Sequence, residues 1–296
     1  MPVPHTALSD WHFRTGALDR LNPPWMRIQV LQHPAVLADG AVARLRARVA
    51  GIPFSIHSRI RDAVPGEGFT DEQERGPFLR WIHRHTFLPH DTSQSILEDR
   101  VDYQLPAGAL VRGALGGWAK RSLERAFAWR HQRTRHDLHH HAPFLGERLR
   151  VAVSGGSGSV GGSLIPFLTT GGHDVRRIVR SAPDHAHGDI LWDQSSQKFD
   201  LRALEGLDAV VHLAGAGIAD KPWSVQRKQV IRDSRVEGTA ALCKALAALK
   251  SPPRVVVCAS ATGFYGSRKG DESLTESSPA GQGFLPDICK AVERAT

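Results

Sequence analysis

The stretch Arg148-Leu149-Arg150-Val151-Ala152-Val153-Ser154-Gly155-Gly156-Ser157-Gly158-Ser159-Val160-Gly161-Gly162-Ser163-Leu164-Ile165 decides how this chain is read. A short β-branched strand runs straight into a glycine cluster, and a helix carrying Leu164, Phe167 and Leu168 follows. Gly155, Gly158 and Gly161 stand at G-x-x-G-x-x-G spacing. Each glycine has its own physical reason. The first permits the tight turn off the strand, the second lets a pyrophosphate approach the backbone, and the third lets the helix pack on the sheet. Unpaired N–H groups and the positive end of the helix then attract the anion. Gly155, Gly156, Ser157, Gly158, Ser159, Val160 and Gly161 are therefore the expected phosphate-binding residues. No Gly-Lys-Ser/Thr follows, so this is not a Walker A loop, and no G-x-S-x-G register makes it a nucleophile elbow.

The next strand, His173 to Arg180, ends about 20 residues beyond the glycines, where a site for NAD places an acidic side chain on the ribose. Here Arg180 is followed by Ser181, with Arg176 and Arg177 nearby. A guanidinium pairs in a bidentate way with a 2′-phosphate, so NADP(H) is expected over NAD(H). Leu207 to Gly217 forms another buried strand that ends in small residues, of which Ala214 and Gly215 leave room for a cofactor ring. Ser224 to Leu249 reads as a long helix, and Pro253 to Cys258 as the next strand, leading to Ser260-Ala261-Thr262-Gly263-Phe264-Tyr265-Gly266. Strands alternating with helices predict an α/β doubly wound parallel sheet, a Rossmann domain over residues 148–296.

This half resembles an extended, atypical short-chain dehydrogenase/reductase of the NAD-dependent epimerase/dehydratase-like group. The resemblance rests on the glycine turn, His212-Leu213-Ala214-Gly215, Lys221-Pro222-Trp223, Arg232-Asp233-Ser234-Arg235-Val236-Glu237-Gly238-Thr239, the Ser260 to Gly266 segment, and Gly283-Phe284-Leu285 leading to Lys290 and Glu293. It implies an oxidoreductase or epimerase in which Ser/Thr, Tyr and Lys act on a substrate oxygen. Tyr103 and Tyr265 are the two tyrosines. Lys269 stands four residues after Tyr265, but in a polar glycine-flanked loop rather than on the later helix. The helix around Lys290 has Pro286 where the resemblance expects tyrosine. Ser260, Thr262 and Tyr265 are the catalytic candidates that remain. The chain ends at Thr296, so the resemblance implies that the family domain is C-terminally incomplete. Two readings stay open: an NADP(H)-dependent enzyme, and a non-catalytic sensor of dinucleotide and apolar ligand.

The first half reads as α+β. A helix is expected over Trp11 to Leu21, ended by Pro23 and Pro24. Strand patterns cover Met26 to Leu31, Val42 to Val49, Phe54 to Ile60, Phe78 to Phe87 and Ser95 to Leu105, with turns at Pro65-Gly66-Glu67-Gly68, Gly76-Pro77 and Pro89-His90-Asp91. A long helix then runs from about Ala109 to His139, with a broken stripe of Leu110, Leu115, Trp118, Leu123, Phe127 and Leu138. A curved sheet on one long helix is a helix-grip layout. Leu21-Asn22-Pro23-Pro24-Trp25, Asp71 to Phe78 with Trp81 and His83, and Leu97 to Tyr103 resemble the SRPBCC (START-like) superfamily over residues 1–145. That resemblance implies a hydrophobic cavity and a small apolar ligand. His136 and His140 are spaced for one helix face, but no glutamate accompanies them in the H-E-x-x-H manner, so no metal site is expected.

Composition limits the remaining classes. With 41% hydrophobic and 23% charged residues in 296, the chain reads as two ordinary globular domains. No apolar run approaches the roughly 18 residues of a membrane span, and Met1 to Asp10 lacks a signal-peptide pattern. The expected compartment is the cytoplasm. The formal charge of +8 is weighted toward the first half, but its arginines are scattered among carboxylates without interleaved aromatics, which argues against nucleic acid. Cys243, Cys258 and Cys289 form no paired motif, so a disulfide framework is not expected. A homo-oligomer, or a second polypeptide completing the second domain, is left open.

Overall fold

In the computed structural model, residues 1–34, 36–49, 52–106, 109–184, 187–193, 196, 198–267 and 271–296 are described. Lys269 and its neighbours Arg268 and Gly270 lie outside the described residues, as do the side chains of Leu110 and Leu115. The chain divides into two units: Met1–Glu147 with Pro166–Gly172, and Arg148–Ile165 with His173–Thr296.

The first unit is built on an antiparallel meander in sequence order: β1 (Gln29–Gln32), β2 (Val42–Val49), β3 (Ile52–Val64), β4 (Gly68–Arg75), β5 (Arg80–Pro89) and β6 (Ser95–Gln104). Its helices are α1 (His5–Phe13), α2 (Ala17–Arg20) and α3 (Ala109–His141). The single N-terminal helix expected over 11–21 is two, because Gly16 takes a left-handed φ of 97° between them. Strand β4 is not foreshadowed by pattern, since Asp71-Glu72-Gln73-Glu74-Arg75 lacks apolar alternation. It forms because both of its edges are paired, to β3 and to β5, and Arg61 meets Glu72 across the sheet at 2.7 Å. Leu8, Trp11, Ile60, Phe69, Phe87 and Leu138 form the core of this unit.

The second unit holds a six-stranded sheet ordered β10-β9-β8-β7-β11-β12. These are β7 (Arg150–Ser154), β8 (Asp174–Val179), β9 (Ile190–Asp193), β10 (Lys198–Phe199), β11 (Ala209–His212) and β12 (Val255–Cys258). All neighbours are parallel except β10 on β9. The N-terminal half of α4 (Ser159–Thr170), up to Ile165, with α5 (Leu201–Leu204), α6 (Val225–Ala247) and α7 (Phe284–Ala295), completes it. From β7 the chain first builds outward to β8 and β9, then returns to the other side with β11 and β12. That reversal is the switch point of a Rossmann sheet, and ligands bind outside the strand ends there. Strands β9 and β10 go beyond the sequence expectation; Ile190 and Trp192 point inward from β9 and join Ala152, Val210 and Leu242 in the core. Helix α6 starts where Ser224 caps it, its Oγ accepting from the Arg227 amide at 3.1 Å. Among the described residues, no helix is long and apolar enough to cross a membrane.

One buried ion pair ties the first unit together. Arg20 donates to both carboxylate oxygens of Asp137, at 2.7 and 2.5 Å, and the two side chains are 8% and 3% exposed. Removing one partner strands a buried charge, which costs about 3–5 kcal/mol. Asp137→Ala is therefore expected to destabilise the protein by that amount in denaturant melts; a midpoint unchanged from the parent would contradict this role.

Candidate functional site

The glycine turn joins β7 to α4 at the switch point. Gly155 has φ of 73°, and a Cβ there would lie 2.7 Å from the Leu213 carbonyl carbon and 2.8 Å from the Ala214 nitrogen. At Gly161 a Cβ would lie 2.4 Å from the Gly155 oxygen. These glycines are required by backbone-on-backbone contact, which a side chain cannot relieve. Gly158 donates its amide to the Gly155 carbonyl at 3.0 Å, and Gly162 donates to Gly158 at 2.8 Å. Between them, the amides of Ser159, Val160 and Gly161 meet no backbone carbonyl among the described residues. Ser157, Gly158, Ser159 and Val160 are exposed. The turn therefore presents the unpaired amides of exposed Ser159 and Val160 at a helix N-terminus, with that of buried Gly161 behind them, donors of the kind that a pyrophosphate fits.

A side-chain lock holds the strand ends behind this turn. Ser154 Oγ lies 2.7 Å from His212 Nδ1 and accepts the amides of Leu213 at 3.1 Å and Ala214 at 3.3 Å. With both lone pairs used, the serine proton goes to Nδ1, which leaves His212 as the Nε2–H tautomer. Burial pushes this imidazole down to about 4. No local signal announces the lock, because residues 58 apart meet only once β7 and β11 pair in register.

Arg180 lies exposed just past the end of β8, on the strand beside β7. Among the described residues no carboxylate pairs with it. Its two neighbours are committed elsewhere: Arg177 grips buried Asp189 through two bonds at 2.8 and 2.6 Å, and Arg176 donates to the Ala203 carbonyl at 3.4 Å. Ala214 and Gly215 follow β11, and the loop is clamped from α6. Ser234 accepts the Ala216 amide at 3.0 Å, Arg235 donates to the Ala216 carbonyl at 2.8 Å, and Arg227 donates to the Gly217 carbonyl. The Arg-Asp-Ser-Arg motif at 232–235 thus supplies two residues that fix the loop opposite the glycine turn.

The catalytic candidates sit beyond β12. Ser260 and Thr262 are exposed. Ser260 donates to Glu293 of α7 at 2.7 Å. Tyr265 donates its phenolic proton to the Thr275 carbonyl at 2.9 Å, which engages it with the backbone. Pro286 is buried in the first turn of α7, and Lys290 pairs with Asp287 at 2.8 Å. Glu293 is a partner to which the sequence assigns no role of its own; its signal is only its place in the motif after Lys290.

Residues 151–285 match the NAD dependent epimerase/dehydratase family. "Epimerase family protein Mb2239" of Mycobacterium bovis is 41% identical over 146 residues, 49% of this chain and 47% of that protein. "Epimerase family protein SDR39U1" of Homo sapiens is 32% identical over 139 residues, 45% of this chain and 43% of that protein. The chain spans about half the length of the curated relatives it matches. Among solved structures, the nucleoside-diphosphate sugar epimerase from Corynebacterium glutamicum is similar with a TM-score of 0.77 and 31% identity, over 100% of this chain and 60% of that one.

The His212 lock has a pH signature. The unfolded chain takes up a proton near the ordinary histidine value of about 6.5, and the folded chain refuses it until about 4. Stability from this group is thus complete above about pH 6.5 and is lost as pH falls toward 4, by on the order of 3 kcal/mol. His212→Phe, which cannot titrate, is expected to lose less stability than the parent between pH 7 and 4 in urea melts. Parallel pH profiles for the two proteins would contradict the assignment.

Proposed function

We propose that this chain, whose residues 151–285 form a domain of the NAD dependent epimerase/dehydratase family, binds NADP(H) at the turn after β7 and acts as an epimerase or oxidoreductase of the short-chain dehydrogenase superfamily. One observation carries the reading: exposed, unpaired amides at the start of α4 lie one strand from Arg180, a guanidinium without a carboxylate partner among the described residues. The amides suit a pyrophosphate, and the guanidinium suits a 2′-phosphate. An acidic side chain, which would favour an unphosphorylated ribose, is absent from that position.

Bound there, the nicotinamide supplies or accepts hydride at C4. The chain's own residues position the reactants. Gly155 allows the turn to approach the Leu213–Ala214 peptide closely, and the Arg235 guanidinium lies beside Gly215. Ser260, its proton donated to Glu293, offers an accepting Oγ to a substrate hydroxyl. The name of the Corynebacterium glutamicum protein supports a nucleotide-linked sugar as the substrate class. The antiparallel meander with its long α3 supports the SRPBCC helix-grip reading of the first unit, with a small apolar ligand as its occupant. The cytoplasm is the compartment proposed for such an enzyme.

A second reading, dinucleotide binding without turnover, is favoured by a specific observation. Tyr265 is engaged by the Thr275 carbonyl, and Pro286 occupies the α7 position where the resemblance expects the acid/base tyrosine.

Calorimetric titration separates the possibilities. NADPH is expected to bind at least about tenfold tighter than NADH, a difference of about 1.4 kcal/mol. Arg180→Glu is expected to abolish that preference while leaving NADH binding nearly unchanged. Equal losses for both cofactors would overturn the role of Arg180, and no binding of either would overturn the site. NADPH binding without oxidation across a panel of nucleotide sugars and simple carbonyls would favour the second reading.

A further inference from the structure

We propose that Asp71, His83 and His85 of the first unit bind one divalent transition-metal ion, with Asp99 orienting the two imidazoles from behind. Asp71 on β4 stands directly across from His83 on β5, and His85 lies two residues on, on the same face of that strand. One ligand atom from each residue lies within 4.8 Å of the other two. Asp71 Oδ2 is 2.9 Å from His83 Nδ1 and 3.4 Å from His85 Nε2. Ligands held at about 2.0–2.1 Å from a common ion lie about 2.9–3.4 Å apart, and the two separations from Asp71 Oδ2 match that spacing. The other carboxylate oxygen, Oδ1, is engaged by Ser58 Oγ at 3.2 Å and Trp81 Nε1 at 3.4 Å, which leaves Oδ2 for the imidazoles.

The far side of each ring faces Asp99. His83 Nε2 is 3.1 Å and His85 Nδ1 is 2.8 Å from Asp99 Oδ1, and His131 Nε2 holds Asp99 Oδ2 at 2.6 Å. A carboxylate behind the imidazole, itself hydrogen-bonded, is the usual outer support of a metal-bound histidine. The support is incomplete at His85. Its Nδ1 approaches Asp99 closely but off the hydrogen-bonding direction, and this buried nitrogen has no hydrogen-bond partner.

Charge points the same way. An ionised carboxylate only accepts hydrogen bonds. Without a cation, His83 would need protons on both nitrogens to serve Asp71 and Asp99, and His85 one on Nε2 to serve Asp71. A buried His83 imidazolium would then lie with its ring centroid 3.9 Å from that of His85, with His83 1% and His85 4% exposed. One divalent ion between Asp71 and the two rings lets both imidazoles remain neutral. Two nitrogens and one carboxylate oxygen suit zinc, cobalt or iron(II) better than magnesium or calcium. Three protein ligands leave coordination positions open, and Asp71, at 21% the most exposed of the three, marks the side of approach.

The metal candidate that the sequence offers is elsewhere, at His136 and His140. Both are exposed on α3, which makes them the control. The full chain, stripped with a chelator, is titrated with Co²⁺ by visible absorption and with Zn²⁺ by calorimetry. The expected result is one ion per chain, d–d bands in the cobalt spectrum, and no competition from Mg²⁺. Asp71→Asn and His85→Gln are expected to weaken binding by at least about tenfold, while His136→Gln/His140→Gln leaves it unchanged. Should the cluster variants not fold, pulsed electron paramagnetic resonance of the parent with one equivalent of Cu²⁺ is expected to show two coupled imidazoles. Absence of stoichiometric binding, loss of binding in the His136/His140 variant, or a copper spectrum without two imidazoles would overturn the site.

Discussion

The second unit depends on one close approach, that of the Gly155 backbone to the peptide joining Leu213 to Ala214. A single added carbon at Gly155 would sit 2.7 Å from that peptide. Only glycine accepts both this crowding and the positive φ of the turn. The approach brings the ends of β7 and β11 together, lets Ser154 reach His212, and aims the start of α4 across the sheet edge. The exposed amides follow from that placement. So does the loop opposite, which α6 holds through Ser234, Arg235 and Arg227.

The two units manage buried polarity differently. In the second unit it includes the Arg177–Asp189 pair and the switch point, where Ser154 Oγ meets His212 Nδ1 and two amides. In the first unit it is concentrated and ionic. Arg20 and Asp137 form one closed pair, and Asp71, Asp99 and three histidines form a second, larger cluster. Its neighbour His12 is pushed down to about 3 by burial and by the adjacent His85. Groups so arranged cost stability unless every charge is met. Their placement on three consecutive strands and two helices makes the sheet register a condition for both charge balance and the proposed ion.

Much of the second unit is legible in the sequence, because its signals are local. Gly155, Gly158 and Gly161 mark a turn by spacing alone, Ser224 marks a helix start, and Val255 to Cys258 is an unbroken apolar run. Strand β9 is not legible, since four residues around a loop give too short a period; Ile190 and Trp192 declare themselves only through the core they enter. Strand β4 is hidden by its charges, which are balanced by arginines on β3 rather than by burial. The position of Arg180 can be counted from the glycines, but that Arg176 and Arg177 are already engaged cannot. Tyr265 fits a catalytic tyrosine by type, yet its hydroxyl is turned to a carbonyl ten residues on. The convergence of Asp71, His83 and Asp99 is unreadable for the same reason as the His212 lock: it requires strand register.

The central claim is that the first amides of α4 receive the phosphates of a pyridine dinucleotide. Amide-resolved NMR of the full chain during titration with NADPH tests it most directly. The account predicts saturable shifts concentrated at Ser159, Val160 and Gly161, with a smaller response at Arg180. Saturable shifts clustered elsewhere, with these amides unmoved, would contradict it.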